Sequence, residues 1–351
     1  MDWLYIHMPI SGVDLFWPGL IILGLGVGIL GGFYGMGGAW MITPGLNILG
    51  FPMAFAIGTD IAHIAGKSIV STIRHAKFGN VDYPLGVAMI LGTMAGFEVG
   101  AQIVMFLERI GKVDLYLRII YLILLAFIFT TVVLDYLKLK KKEKLAKEKG
   151  EQLDKLASGV TWYKTLHKIK IPPVMTFKQA QITVSLWLPM FVGFATGVVA
   201  GLLGIGGGLI RMPALIYLVG CPTHVAVGTD LFEVMISGLY GTFTYTWKGR
   251  TELLAVFIML IGAAVGAQFG AVATKYFKGM IIRVLFGAAV CIAATSIAQK
   301  LIARIYDIKW LDDVSTVTIL GGLSVLMFII VAKAIAGMRK EIQMKKMAQK
   351  S

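Results

Sequence analysis

The chain has 351 residues, of which 57% are hydrophobic and only 15% charged, with a mean hydropathy of +0.80 and a formal net charge of +14. That balance lies well outside the range of a soluble domain. The basic residues are concentrated in two segments with no recognition module beside them, which argues against nucleic-acid binding. Cys221 and Cys291 are too few for a disulfide framework or a metal site and are expected to be small buried hydrophobes.

In chain order, no basic residue precedes the first apolar stretch, so no cleaved signal peptide is expected and that segment should stay in the membrane. Residues 17–48 form an apolar segment interrupted by Gly35-Met36-Gly37-Gly38. Spans long enough for a hydrocarbon core of about 30 Å follow near 52–77, 83–107 and 116–137. A polar linker, 138–181, carries 12 Lys/Arg against 4 Asp/Glu between Lys138 and Lys178, and reads as a solvated connector that pins topology or touches anionic lipid. The segment 185–218 is interrupted by Gly204-Ile205-Gly206-Gly207-Gly208, and spans near 222–247, 252–274, 281–303 and 314–337 follow. The tail holds Arg339, Lys340, Lys345, Lys346 and Lys350. The expected division is a first transmembrane repeat (1–137), the linker (138–181), a second repeat (182–303), and an additional helix with a basic tail (304–351).

The second half repeats the landmarks of the first. Pro44 matches Pro213, Gly50-Phe51-Pro52 matches Gly220-Cys221-Pro222, and Gly58-Thr59-Asp60 matches Gly228-Thr229-Asp230. Gly79-Asn80-Val81-Asp82 then matches Gly249-Arg250-Thr251-Glu252, and Gly96, Gly100, Ala101 and Gln102 are set against Gly262, Gly266, Ala267 and Gln268. Glycine breaks at corresponding points of two halves point to a transporter's binding site, because unwound backbone exposes polar groups at membrane depth.

Each glycine-broken segment is too long for one untilted crossing and short for two, so each reads as a re-entrant hairpin of two half-helices. Three crossings then precede the linker and four follow it, which places linker and basic tail together in the cytoplasm and the N-terminus outside. The odd number of crossings in the first half inverts the second. The fold class expected is an all-α polytopic membrane protein of two inverted repeats, each a glycine-broken re-entrant hairpin followed by transmembrane helices. Lys248-Gly249-Arg250 falls outside in this scheme, against the charge rule.

The glycine turns can aim backbone N–H groups at an anion, or can serve tight helix packing. For the paired, interrupting glycines Gly35, Gly37, Gly38, Gly204, Gly206, Gly207 and Gly208 the substrate-site reading is preferred. No Lys or Ser/Thr follows them in P-loop order, so no nucleotide is expected, nor any other cofactor or metal. Asp60 and Asp230 occupy equivalent places in apolar surroundings, where an ionisable group is a functional candidate. His63 and Glu233, three residues on, share a helix face with them, and such a cluster can carry coupling protons; a structural hydrogen bond to a broken helix is the competing account. Arg211, just past the second turn, ranks first as the cation for an oxyanion, followed by Lys67, for which an ion pair with Asp60 competes. Arg74 and His75 near an interface can simply snorkel. Glu98, with Gln102 four residues on, has no acidic counterpart in the second half.

The Gly-rich turn, the following Pro, the Gly-Thr-x triplet and the segment His75-Ala76-Lys77-Phe78-Gly79-Asn80-Val81-Asp82 together resemble the TauE/SafE sulfite-exporter family. The resemblance covers both halves but not the linker. It implies export of a small sulfur-containing oxyanion, sulfite or an organosulfonate such as sulfoacetate, across the cytoplasmic membrane, with Thr59 and Thr229 added to the substrate site. Both triplets end here in Asp where the family usually has Ser, and the linker is long. The expected function is therefore a proton-coupled secondary transporter working by alternating access, with a small anion and membrane lipid as partners and a homo-oligomer as one arrangement. A cation-coupled transporter or channel with Asp60 and Asp230 as ion ligands is the alternative, and an intramembrane acid–base enzyme a third.

Overall fold

The computed structural model describes residues 2–34, 41–149, 171–273, 276–277 and 279–348. A 3-10 turn (Asp2–Leu4) leads into a hairpin of β1 (Tyr5–His7) and β2 (Asp14–Phe16). Then come α1 (Trp17–Tyr34), α2 (Ile42–Ile48), α3 (Met53–Lys77), α4 (Tyr83–Arg109) and α5 (Val113–Lys149). A second hairpin, β3 (Val174–Phe177) and β4 (Ile182–Ser185), precedes α6 (Trp187–Leu203) and α7 (Gly208–Ala214), which runs on as a π-helical turn, Leu215–Val219. The chain continues through α8 (Thr223–Trp247), α9 (Leu253–Ala273), α10 (Gly279–Ile305) and α11 (Lys309–Ala348).

Helix ends follow local chemistry. Asp82 caps α4 by accepting from Leu85 N at 3.1 Å, with Pro84 in the first turn. Helices α5 and α11 run past the expected ends at 137 and 337 into the Lys-rich linker and tail, because Lys, Glu, Leu and Ala are strong helix formers. The two hairpins depart from an all-helical reading, since strands of three or four residues are too short to leave a periodic signal.

Among the described residues, five helices are long and apolar enough to cross a membrane, over Tyr83–Arg109, Val113–Leu134, Leu253–Gly270, Val284–Ile305 and Lys309–Glu341. Their outward faces present Leu91, Phe106, Phe127, Phe257 and Phe328, while Asp60, His63, Arg211 and Glu233 lie inside. Apolar outside and charged inside is the arrangement expected in hydrocarbon. Cys221 is buried as expected but Cys291 is exposed, on the apolar outer surface of α10, where a small apolar side chain is equally at home.

The two halves pack reciprocally: α1 lies against α9, α6 against α4, and α3 against α8, with α10 beside both α5 and α11. Glycine ladders allow the first two contacts. A Cβ at Gly24, Gly28 or Gly32 would strike the carbonyl of Met259, Ala263 or Ala267, and one at Gly193, Gly197 or Gly201 would strike that of Met89, Thr93 or Phe97. In return, Gly262, Gly266 and Gly270 abut the carbonyls of Ile21, Leu25 and Ile29, as Gly92, Gly96 and Gly100 abut those of Met190, Phe194 and Val198. By this reciprocity Gly96 corresponds to Gly266, four residues from the expected match with Gly262, and Glu98 to Gln268. A ladder of period four keeps glycine on glycine when it slips by four, which is why the sequence match misled.

Contacts also group the helix ends. Gly19, at the start of α1, lies beside Leu49 just past α2. Cys221, past the π-helical turn, shares a buried cluster with Phe177 and Ile182 of the hairpin that leads into α6.

Candidate functional site

Helix α6 stops because Gly204 turns left-handed at φ +75°, and Gly206 and Gly207 follow at +64° and +74° before α7 begins at Gly208. Only glycine adopts this run without strain. The turn threads between two buried polar clusters. A Cβ at Gly204 would lie 2.6 Å from Thr43 Oγ1, one at Gly207 2.6 Å from Arg211 Nη2, and one at Gly208 2.9 Å from Asp230 Oδ2.

The first cluster joins α2 to α3. Asp60 Oδ2 accepts from Thr43 N at 3.0 Å and from Thr43 Oγ1 at 2.8 Å. Asp60 Oδ1 and both ring nitrogens of His63 are buried with no hydrogen-bond partner among the described residues. Lys67 lies on the same helix, within electrostatic reach of Asp60. Tyr121, from α5, donates its hydroxyl to Leu203 O at 2.7 Å and so ties down the end of α6 beside the turn.

The second cluster centres on Arg211, which has no solvent exposure. Its Nε donates to Thr196 Oγ1 at 3.1 Å, and its Nη1 donates to Asp230 Oδ1 at 3.2 Å and also to Glu233 Oε2. Nη2 is buried with no partner among the described residues. One cation therefore faces two carboxylates, and a guanidinium so enclosed is held by them at the cost of its hydration. Between the clusters Ile64 packs on Val234, forming a separate apolar contact. A cavity of about 10 Å³, room for about one water, is lined there by Ile61, Ile64, Phe97, Gly206, Val234 and Ser237.

The structure thus brings Arg211, Asp230 and Glu233 together with Gly207 and Gly208, and links Asp60 to Gly204 through Thr43, with His63 buried one turn further along α3. It divides the two favoured cations between the clusters, Lys67 with Asp60 and Arg211 with Asp230. Gly35, Gly37 and Gly38 lie outside the described residues. Thr59 and Thr229 each accept a backbone N–H from the opposite half, that of Glu252 at 3.1 Å and that of Asp82 at 3.0 Å. Glu98 stands apart, bonded to Gln102 at 2.6 Å and Lys248 at 3.1 Å.

Thr43, Thr196 and Tyr121 escaped the sequence reading. Thr43 and Thr196 each carry the signal of a lone hydroxyl in an apolar stretch near a glycine break, whereas Tyr121, inside α5, carries none. Asp82 and Glu252 were legible only as landmarks, yet each holds the hairpin of the other half. Asp82 Oδ2 accepts from Gln179 N and Ala180 N, both at 3.0 Å, and Glu252 Oε2 accepts from Ile10 N at 2.9 Å and Ser11 N at 3.1 Å.

Comparison with known proteins agrees with this architecture. Residues 20–297 match the family described as sulfite exporter TauE/SafE. The chain is 25% identical over 278 residues to the probable membrane transporter protein YunE of Bacillus subtilis, covering 76% of this chain and 93% of that one. It is 23% identical over 260 residues to the probable membrane transporter protein YdhB of the same organism (73% and 90% covered), and 25% identical over 240 residues to a probable membrane transporter protein of Methanocaldococcus jannaschii (65% and 72% covered). No solved structure matches the chain. With apolar spans around a buried charged centre, and a family match running from α1 into α10, the chain belongs to the sulfite exporter TauE/SafE family of membrane transporters.

Proposed function

We propose that this transporter exports a small sulfur-containing oxyanion, sulfite or an organosulfonate such as sulfoacetate, across the cytoplasmic membrane in company with protons. The observation that carries the reading is Arg211, fully buried against Asp230 and Glu233 with Nη2 still free to donate to an atom outside the described residues. An incoming oxyanion competes with these carboxylates for the same guanidinium. Adding a negative charge to a buried group of one cation and two carboxylates is costly unless a carboxylate takes up a proton. Anion binding and proton uptake are thereby linked. Asp60 and His63 form a second proton-carrying pair across the Ile64–Val234 contact, and the glycine turn, touching both clusters, relays one to the other.

The architecture proposed is two inverted repeats with re-entrant hairpins. The five apolar helices together with α3 and α8, each 25 residues long, then make seven crossings. The proximity of Gly19 to Leu49, and of Cys221 to the β3–β4 hairpin, supports re-entry. The linker and tail are assigned to the cytoplasm. Lys248 and Arg250 remain against the charge rule in this assignment, and each has an acidic partner, Glu98 at 3.1 Å from Lys248 and Glu108 at 2.9 Å from Arg250.

The test is flux of radiolabelled sulfite and sulfoacetate in proteoliposomes with and without an imposed pH gradient. Gradient-driven flux that Arg211→Gln abolishes is expected. Flux indifferent to both anions, or following a sodium gradient alone, would sink the reading and favour Asp60 and Asp230 as cation ligands.

A further inference from the structure

Away from both clusters stands a buried cation that, among the described residues, shares its neighbouring carboxylates Asp114 and Asp312 with other bases. Arg118, on α5, is 3% exposed, and among the described residues its hydrogen bond is from Nη1 to the carbonyl of Lys300 at 3.3 Å. Its Nε is buried without a partner among the described residues. The nearby acids are engaged elsewhere: Asp312 pairs with Lys300 at 2.7 Å, and Asp114 pairs with Arg304 and accepts from Met53 N at 3.2 Å. A guanidinium offers five N–H donors, and leaving the Nε–H buried and unanswered is unfavourable.

Arg118 lines a cavity of about 10 Å³ together with Lys300, Asn47, Pro44, Ile48 and Met53. That volume admits one oxygen-sized atom. Lys300 Nζ also reaches the Ile48 carbonyl at 3.4 Å, so the ammonium stands over the end of α2. The place lies about 8 Å from the start of α5, at ~1.5 Å per residue. Tyr306, just past α10, and Trp310, in the first turn of α11, are exposed near the same end and are of the kind that marks a membrane–water boundary.

The geometry points to a second anion site here, separate from Arg211, in which one oxygen of an oxyanion enters the cavity between Arg118 Nε and Lys300 Nζ and the remainder lies at its mouth. Two sources share this chemistry, a free inorganic oxyanion and the phosphate of a phospholipid headgroup. Either would bear on α2 at Pro44, the neighbour of Thr43, and so would act on the helix that holds Asp60.

The experiment uses the purified full-length protein, stripped of lipid in detergent. Unfolding temperature is followed against sulfate and phosphate at constant ionic strength, and against phosphatidylglycerol in mixed micelles. One of the two sources is expected to stabilise the wild type saturably. Arg118→Gln should weaken the apparent affinity about tenfold or more, as loss of a charge-assisted hydrogen bond requires, while Arg118→Lys keeps part of it. Because Arg118→Gln risks misfolding, Lys300→Gln, altered at a side chain that is 13% exposed, provides a second reading in the same direction. Arg211→Gln should leave this response intact. A response to sulfate or phosphate identifies a free oxyanion, and a response to the phospholipid alone identifies a headgroup. The proposal is overturned if neither ligand stabilises the wild type, if folded Arg118→Gln and Lys300→Gln respond as the wild type does, or if the response disappears with Arg211 instead.

Discussion

Thr59 accepts the backbone N–H of Glu252 at 3.1 Å, across 193 residues of sequence, and Thr229 does the same for Asp82 at 3.0 Å. Each hydroxyl thus serves an N–H at the start of a helix in the other half, where no intrahelical partner exists. Thr59→Val or Thr229→Val keeps the shape and strands a buried donor, at a cost of about 1–3 kcal/mol each. Chemical unfolding in detergent should show both losses. If either valine variant is as stable as the wild type, the hydroxyls are free for a substrate and the capping account fails.

The glycine ladders allow a sharper contrast. Gly28→Ala and Gly197→Ala each drive a Cβ into a facing carbonyl, of Ala263 and Thr93, and should lower the folded yield and the unfolding temperature together. Gly321, inside α11, has no described atom within 4 Å of the place a Cβ would take, so Gly321→Ala should be neutral or stabilising by roughly 0.5–1 kcal/mol. Equal effects at all three sites would mean that helix propensity, not close approach, governs these glycines.

Much of this was legible because hydrocarbon length and glycine breaks are local signals. The expected spans at 52–77 and 222–247 coincide with α3 and α8 to within a residue. What the sequence hid was relational. A threonine does not announce a donor 193 residues away, nor does Asp82 announce the hairpin it holds at Gln179 and Ala180. Nor do Lys248 and Arg250 announce their partners Glu98 and Glu108, which belong to a different helix. Of the site, Arg211, Asp230 and Glu233 were nameable from spacing, whereas Thr196, which orients the guanidinium, was one hydroxyl among many.

Arg211 offers a test of charge balance. Arg211→Gln leaves Asp230 and Glu233 buried without their cation, and breaking such a pair costs about 3–5 kcal/mol. Adding Glu233→Gln in the same chain should recover part of that stability but no transport. Glu233→Gln alone should retain anion binding while uncoupling flux from the pH gradient. Unfolding in detergent and vesicle flux, measured on the same preparations, separate these outcomes. A folded Arg211→Gln protein that transports normally would remove Arg211 from the mechanism.

The arrangement in the membrane can be read by labelling single cysteines in a background lacking Cys221 and Cys291. Ile10 and Pro52 flank the first glycine-broken segment and both are exposed, as are Lys178, in the β3–β4 hairpin, and Lys340, near the end of α11. If the first segment is re-entrant, cysteines at 10 and 52 should both react with an impermeant thiol reagent added to intact cells, together with one at Ile308. Those at 178 and 340 should react only after the membrane is opened. A segment that crossed fully would put 10 and 52 on opposite sides, and a count of crossings that differed by one in the second half would separate 178 from 340. Labelling after the membrane is opened is the control for reactivity at every position, so a poorly reactive cysteine is recognised as such; a split within a pair that persists against this control overturns the inverted arrangement.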